Sequence, residues 1–95
     1  MQVSKEELKK RKILFKAIGD IVCRHREAQN KSRYEIAAEC TLSRSTWGDI
    51  ETASCKEPAL TTIWKIAEGL DIHPDELLRE VREKLGDDFS LSGLN

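Results

Sequence analysis

Two short apolar segments joined by a tight turn constrain this chain more than any other feature. Ser32 and Glu35 form a capping-box signature ahead of a helix expected near 33 to 39, with Ile36, Ala37 and Cys40 on its inner side. Thr41-Leu42 makes the junction, and Ser43 is placed to cap a further helix near 44 to 52 whose inward residues are Trp47 and Ile50. Helices this short do not hold alone in water, so the pair must pack on itself and on longer neighbours. Those neighbours are legible. Ser4 and Glu7 give another capping-box signature, and Leu8, Phe15, Ile18, Val22 and His25 recur at helical spacing, flanked by Leu14, Ile21 and Ala28. One long helix from about 5 to 28 is expected. After a loop over 52 to 58 closed by Pro58, residues Leu60, Ile63, Trp64, Ala67 and Leu70 mark a fourth helix ending near Gly69. Pro74 at a first helical position, with Asp75 and Glu76 complementing the helix dipole, opens a fifth through Leu85, and Gly86 stops it.

The expected fold class is therefore all-α, five helices in one domain over 1 to 86, with 87 to 95 a C-terminal tail that is either flexible or in contact with a second copy. At 95 residues the chain suits one small domain. No apolar run reaches the roughly 20 residues of a membrane span, and the first residues lack a signal-peptide core, so a cytoplasmic protein is expected. Cys23, Cys40 and Cys55 show neither a C-x-x-C pair nor histidines at zinc spacing. Three free thiols are expected, with only Cys55 accessible, where Lys56 is offset by Glu57. No metal site and no cofactor are expected. His25 reads as a packed boundary residue, because the sequence places no carboxylate or cysteine to work with it.

Charge is uneven along the chain. Residues 1 to 34 carry 10 Lys+Arg against 4 Asp+Glu, and residues 67 to 95 carry 3 against 8. A basic half suits a polyanion, and an acidic half limits indiscriminate attraction. The blander account is that Lys5, Lys9, Lys12 and Lys16 are simply the solvated stripe of an amphipathic helix, nearly opposite its apolar face.

Residues 33 to 52 carry the functional signal. Two short helices joined by about four residues make a helix-turn-helix, in which the second helix enters the DNA major groove. Ile36, Cys40, Leu42, Trp47 and Ile50 can lock the unit to the core, with Ala37 small where the helices meet. Outward, Arg44, Ser45, Thr46, Gly48 and Asp49 present short or hydrogen-bonding groups that can meet base edges.

The stretch from Ser32-Arg33-Tyr34-Glu35-Ile36-Ala37 through Ser43-Arg44-Ser45-Thr46-Trp47-Gly48-Asp49-Ile50-Glu51 resembles the phage-repressor (Cro/C1, or Xre-type) helix-turn-helix family. Pro58 to Leu70 and Pro74 to Leu78 resemble the fourth and fifth helices of the same lambda-repressor-like domain, so the likeness covers roughly 13 to 80. The resemblance implies a sequence-specific DNA-binding regulator, commonly a repressor, acting as a homodimer on an inverted-repeat operator in double-stranded DNA. It implies base reading by Arg44, Ser45 and Asp49, and phosphate contact by Ser43 and Thr46. Arg44 can donate to guanine O6 and N7, and Asp49 can accept from cytosine N4. It also implies an ion pair, Arg26 with Glu51, tying the first helix to the third.

The chain departs from the family pattern at three places. Arg33 replaces a usual Gln at the start of the second helix and is expected to contact phosphate with a full charge. Thr41 stands where the turn usually has Gly, which predicts strain of about 1 to 3 kcal/mol if φ is positive. The loop before the fourth helix offers only Lys56 beside Glu57, so nonspecific affinity is expected to be weak, with a log K against log[salt] slope no steeper than about −6 per dimer. Trp47 is expected in the core and Trp64 partly exposed. The fifth helix and Phe89, Leu91 and Leu94 are candidates for a dimer contact. The rival reading is a protein-interaction module of the same fold, antitoxin-like or co-activator-like, with a protein partner. No nucleophile-base pair, paired-carboxylate site or phosphate-cradling loop points to an enzyme.

Overall fold

Serine caps start the first three helices. Ser4, Ser32 and Ser43 sit in extended backbone, and each side chain accepts a hydrogen bond from the backbone N–H three residues on. In the computed structural model, which describes residues 3 to 55 and 57 to 93, the helices are α1 Lys5–Ala28, α2 Arg33–Glu39, α3 Arg44–Glu51, α4 Leu60–Gly69 and α5 Pro74–Leu85. Among the described residues there is no strand, and no helix is long and apolar enough to cross a membrane. The capping box at α2 is complete, with Glu35 accepting from the Ser32 N–H. At α1 only half of the expected box forms. The Glu7 carboxylate turns away to pair with Arg11 at 2.8 Å, a partner one helical turn on that carries a full charge.

The helices end alike. Asn30, Thr41, Ala53 and Asp71 follow α1 to α4 with φ near +57° to +59°. After α2, the Thr41 N–H bonds Ala38 O and the Leu42 N–H bonds Ala37 O; the same pair of bonds follows α3 and α4. These are Schellman turns built without glycine. Thr41, a β-branched residue in the left-handed region, carries the strain expected of it, and its hydroxyl donates to Cys40 O at 2.6 Å. Among the described residues only α5 is capped by a glycine of positive φ, Gly86, at +90°.

Val22, Ile21, Ile36, Trp47, Ile66 and Leu77 are the largest fully buried side chains, drawn from all five helices. α1 packs against α3 and α5, α2 against α3 and α4, and α4 against α5. At Gly19 the backbone of α1 meets α3 so closely that an added Cβ would lie 2.5 Å from Ile50 O and 2.6 Å from Glu51 O. A helix of 24 residues is about 36 Å long, close to the longest extent of the molecule, 38 Å. The radius of gyration, 13.6 Å, exceeds the roughly 12 Å of a rounded chain this size.

Two details differ from expectation. His25 does have a carboxylate partner: Glu80 on α5 lies 2.9 Å from Nε2, and Arg24 reaches the same carboxylate at 3.3 Å. Sequence spacing could not show it, because the two residues are 55 positions apart. Cys55 is not the one accessible thiol: Cys23 and Cys55 are both half-buried, and Cys55 packs against the edge of the core. The tryptophans lie as expected: Trp64 is 52% exposed, beside a barer Leu60 at 68%, while Trp47 is fully buried. Of the tail, Phe89 and Leu91 lie beside Leu14, Val81 and Leu85, around a hollow of about 400 Å³ between α1 and α5. Leu94 lies outside the described residues.

Candidate nucleic-acid interface

The interface is built outward from one buried carboxylate. Glu51, at the end of α3, has a fully buried side chain. It receives Arg26 Nε at 2.5 Å and Nη2 at 3.0 Å, Trp47 Nε1 at 2.6 Å and Arg33 Nε at 2.9 Å. Burial pushes this carboxyl up, yet the hydrogen bonds from Arg26, Trp47 and Arg33 outweigh it and hold the pKa down to about 2. The bond to Glu51, against the effect of burial, raises Arg26 further still. Arg26 Nη1 also donates to Lys31 O at 2.8 Å, closing the α1 to α2 connection. Two arginines from two helices thus clamp α3 in one orientation, while Trp47 fixes the carboxylate from within α3. The Cys23 thiol beside this cluster is pushed up by burial and by Glu51, so it is a poor thiolate.

With Trp47, Ile50 and Glu51 turned inward, helical geometry presents the opposite side of α3 to solvent. Arg33, Arg44, Ser45, Gly48, Asp49 and Thr52 line one open hollow of about 370 Å³. Arg44, Ser45 and Asp49 are exposed, and among the described residues their side chains have no partner. They are free to exchange water for a ligand without breaking anything. Arg33 has two duties. Its Nε holds Glu51, while Nη1 extends over Gly48, where an added Cβ would sit 3.8 Å away. Its side chain is 40% exposed.

The structure therefore gathers four of the expected residues, Arg33, Arg44, Ser45 and Asp49, around one concavity. Ser43 and Thr46 lie at the leading end of α3 but are engaged with each other: Ser43 accepts from the Thr46 N–H at 3.0 Å and donates to its hydroxyl at 2.8 Å. Lys56 lies outside the described residues. Thr52 was not singled out in the sequence, yet it closes the hollow, its hydroxyl donating to Gly48 O at 2.9 Å. Its place as the C-cap of α3, one turn beyond Gly48, is the signal that finds it.

Five helices with the second and third forming a bent pair, and an outward polar face on the third, define a helix-turn-helix domain of DNA-binding regulators. The family model described as helix-turn-helix matches residues 24–77, and the chain belongs to that family, of the Cro/C1 and Xre-like type. It is a family of DNA-binding regulatory domains rather than of enzymes. Comparison with the curated proteins and with the solved structures found no match.

Proposed function

We propose that the protein is a sequence-specific regulator that binds an inverted-repeat operator in double-stranded DNA as a homodimer. The observation that carries this reading is the outer face of α3, where Arg44, Ser45 and Asp49 stand exposed on a helix that Glu51 holds rigidly from behind. A reader of base edges needs both properties, since unsatisfied groups must be offered in a geometry that does not relax. Ser43, Thr46, Arg33 and Lys56 then steady the domain on phosphates. A bound dimer acts by occupancy, which is repression where the site overlaps a promoter.

Two recognition helices one DNA turn apart require a contact between copies. The face formed by α5 and the tail supports it: Leu78 is 45% exposed and Leu91 39%, both bordering the apolar hollow beside α1. Selection from a random duplex library tests the reading. An enriched inverted repeat is expected, with preference at one position per half-site relaxed by Arg44→Ala. Absence of enrichment at low salt overturns it in favour of a protein-interaction module. Sedimentation tests the dimer, and Leu78→Asp is expected to yield monomers.

A further inference from the structure

The N-terminal half of α1 lies outside the matched residues 24–77. At 100° per residue, Lys5, Lys9, Lys12 and Lys16 all fall within about 40° of Cys23, which borders the Glu51 cluster, and within about 80° of Gly19, which touches the backbone of α3. The side of α1 that seats α3 in its second half is thus the side that carries lysines in its first half. All four are exposed. Lys16 pairs with Asp20 at 3.2 Å, but among the described residues Lys5, Lys9 and Lys12 have no ion pair.

This half of the helix is also anchored where it stands. Arg11 reaches Glu57 at 3.3 Å, and Lys12 shares a hollow with Ala53, Ser54 and Cys55, the loop that leaves the end of α3. The lysines are therefore held beside the trailing end of the helix proposed to read bases. From Lys5 to Lys16 the stripe runs about 16 Å, the rise of roughly five base pairs. Glu6 and Glu7 flank its first turn, with Glu7 held by Arg11, and from Lys9 onward no acidic residue enters it before Asp20.

We propose that Lys5, Lys9 and Lys12 form a second contact surface on α1 for the phosphate backbone of the same duplex, beyond the bases that α3 meets. The proposal rests on the DNA-binding reading above and extends it. Charge complementarity selects the occupant: a rigid row of free ammonium groups suits a polyanion running past it, and the loop before α4 carries too few cations to do that alone.

The test compares the full chain with the triple variant Lys5→Gln, Lys9→Gln, Lys12→Gln, which keeps helix propensity and breaks no intramolecular bond. Binding to a duplex carrying the selected site with long flanks is measured against salt. Arg33, Arg44 and Lys56 from two protomers account for a slope of about −5; three more cations per protomer take it to about −11. The expected result is a slope well beyond −6 for the natural chain, steeper than the limit of about −6 that the loop before α4 alone implies, returning to about −5 in the variant, with affinity down at least about tenfold and base preference unchanged. Trimming the flanks should weaken the natural chain and leave the variant unaffected. A variant with the natural slope and affinity overturns the α1 surface while the DNA reading stands. If the natural chain binds no duplex, the parent reading fails and the α1 surface with it.

Discussion

The two faces of α3 are opposite solutions written into the same eight residues. The inner face has Trp47, Ile50 and Glu51 buried, with no buried side-chain polar atom left without a partner among the described residues; the outer face has Arg44, Ser45 and Asp49 exposed and, among the described residues, unpartnered. The difference teaches where each function resides. Rigidity is made on the inside and spent on the outside, so a change on one face should leave the other property intact.

Breaking the inner face gives the largest effect. Glu51→Ala strands two guanidiniums and an indole N–H, and a loss of about 3 to 5 kcal/mol is expected in denaturant unfolding. Acid does the same reversibly. Because folding lowers the Glu51 pKa from about 4.5 to about 2, its contribution is complete above about pH 5 and drains away as the pH falls toward 2. Unfolding midpoints measured across that window should fall in the natural chain and stay flatter in a Glu51→Gln variant. Gly19→Ala forces a Cβ against α3 backbone, an overpacking expected to cost about 1 to 3 kcal/mol of stability.

The outer face gives the complementary result. Arg44→Ala should move stability by no more than about 0.5 kcal/mol while costing about 1 to 3 kcal/mol of discrimination at one base position; a comparable loss of stability would mean that the two faces are not independent. Arg33 sharpens the comparison, since it touches both: Arg33→Ala is expected to lower stability and duplex affinity together. The smallest effect lies at the turn. Thr41→Gly relieves a positive φ and should stabilise by about 1 kcal/mol, visible as a raised melting temperature, with base preference unchanged.

How much of this was legible before folding depends on the range of the interactions. The helices begin at Ser4, Ser32, Ser43 and Pro74 as the sequence predicts, because a cap is decided within three residues of itself. α3 ends one residue early, at Glu51, with Thr52 as its cap rather than its last turn. The left-handed ends at Ala53 and Asp71 escaped notice because neither is the glycine that usually marks them. Resemblance to the repressor family implied the Arg26 to Glu51 pair, and the structure contains it. Arg33 as its third member was not foreseen; the residue reads from sequence as a phosphate contact, and nothing local says that half of its guanidinium is already held.

Sequence by itself determined the five helices, the tight turn between the second and third, and the inward set led by Ile36, Trp47 and Ile50, since periodicity and capping are governed by residues three or four apart. Tertiary structure decided what crosses between helices: His25 with Glu80, Arg33 with Glu51, and Gly19 against α3. It also decided that the lysine side of α1 is the side on which α3 rests. A wheel drawn from sequence shows which residues share a face, but only packing shows which neighbour that face meets.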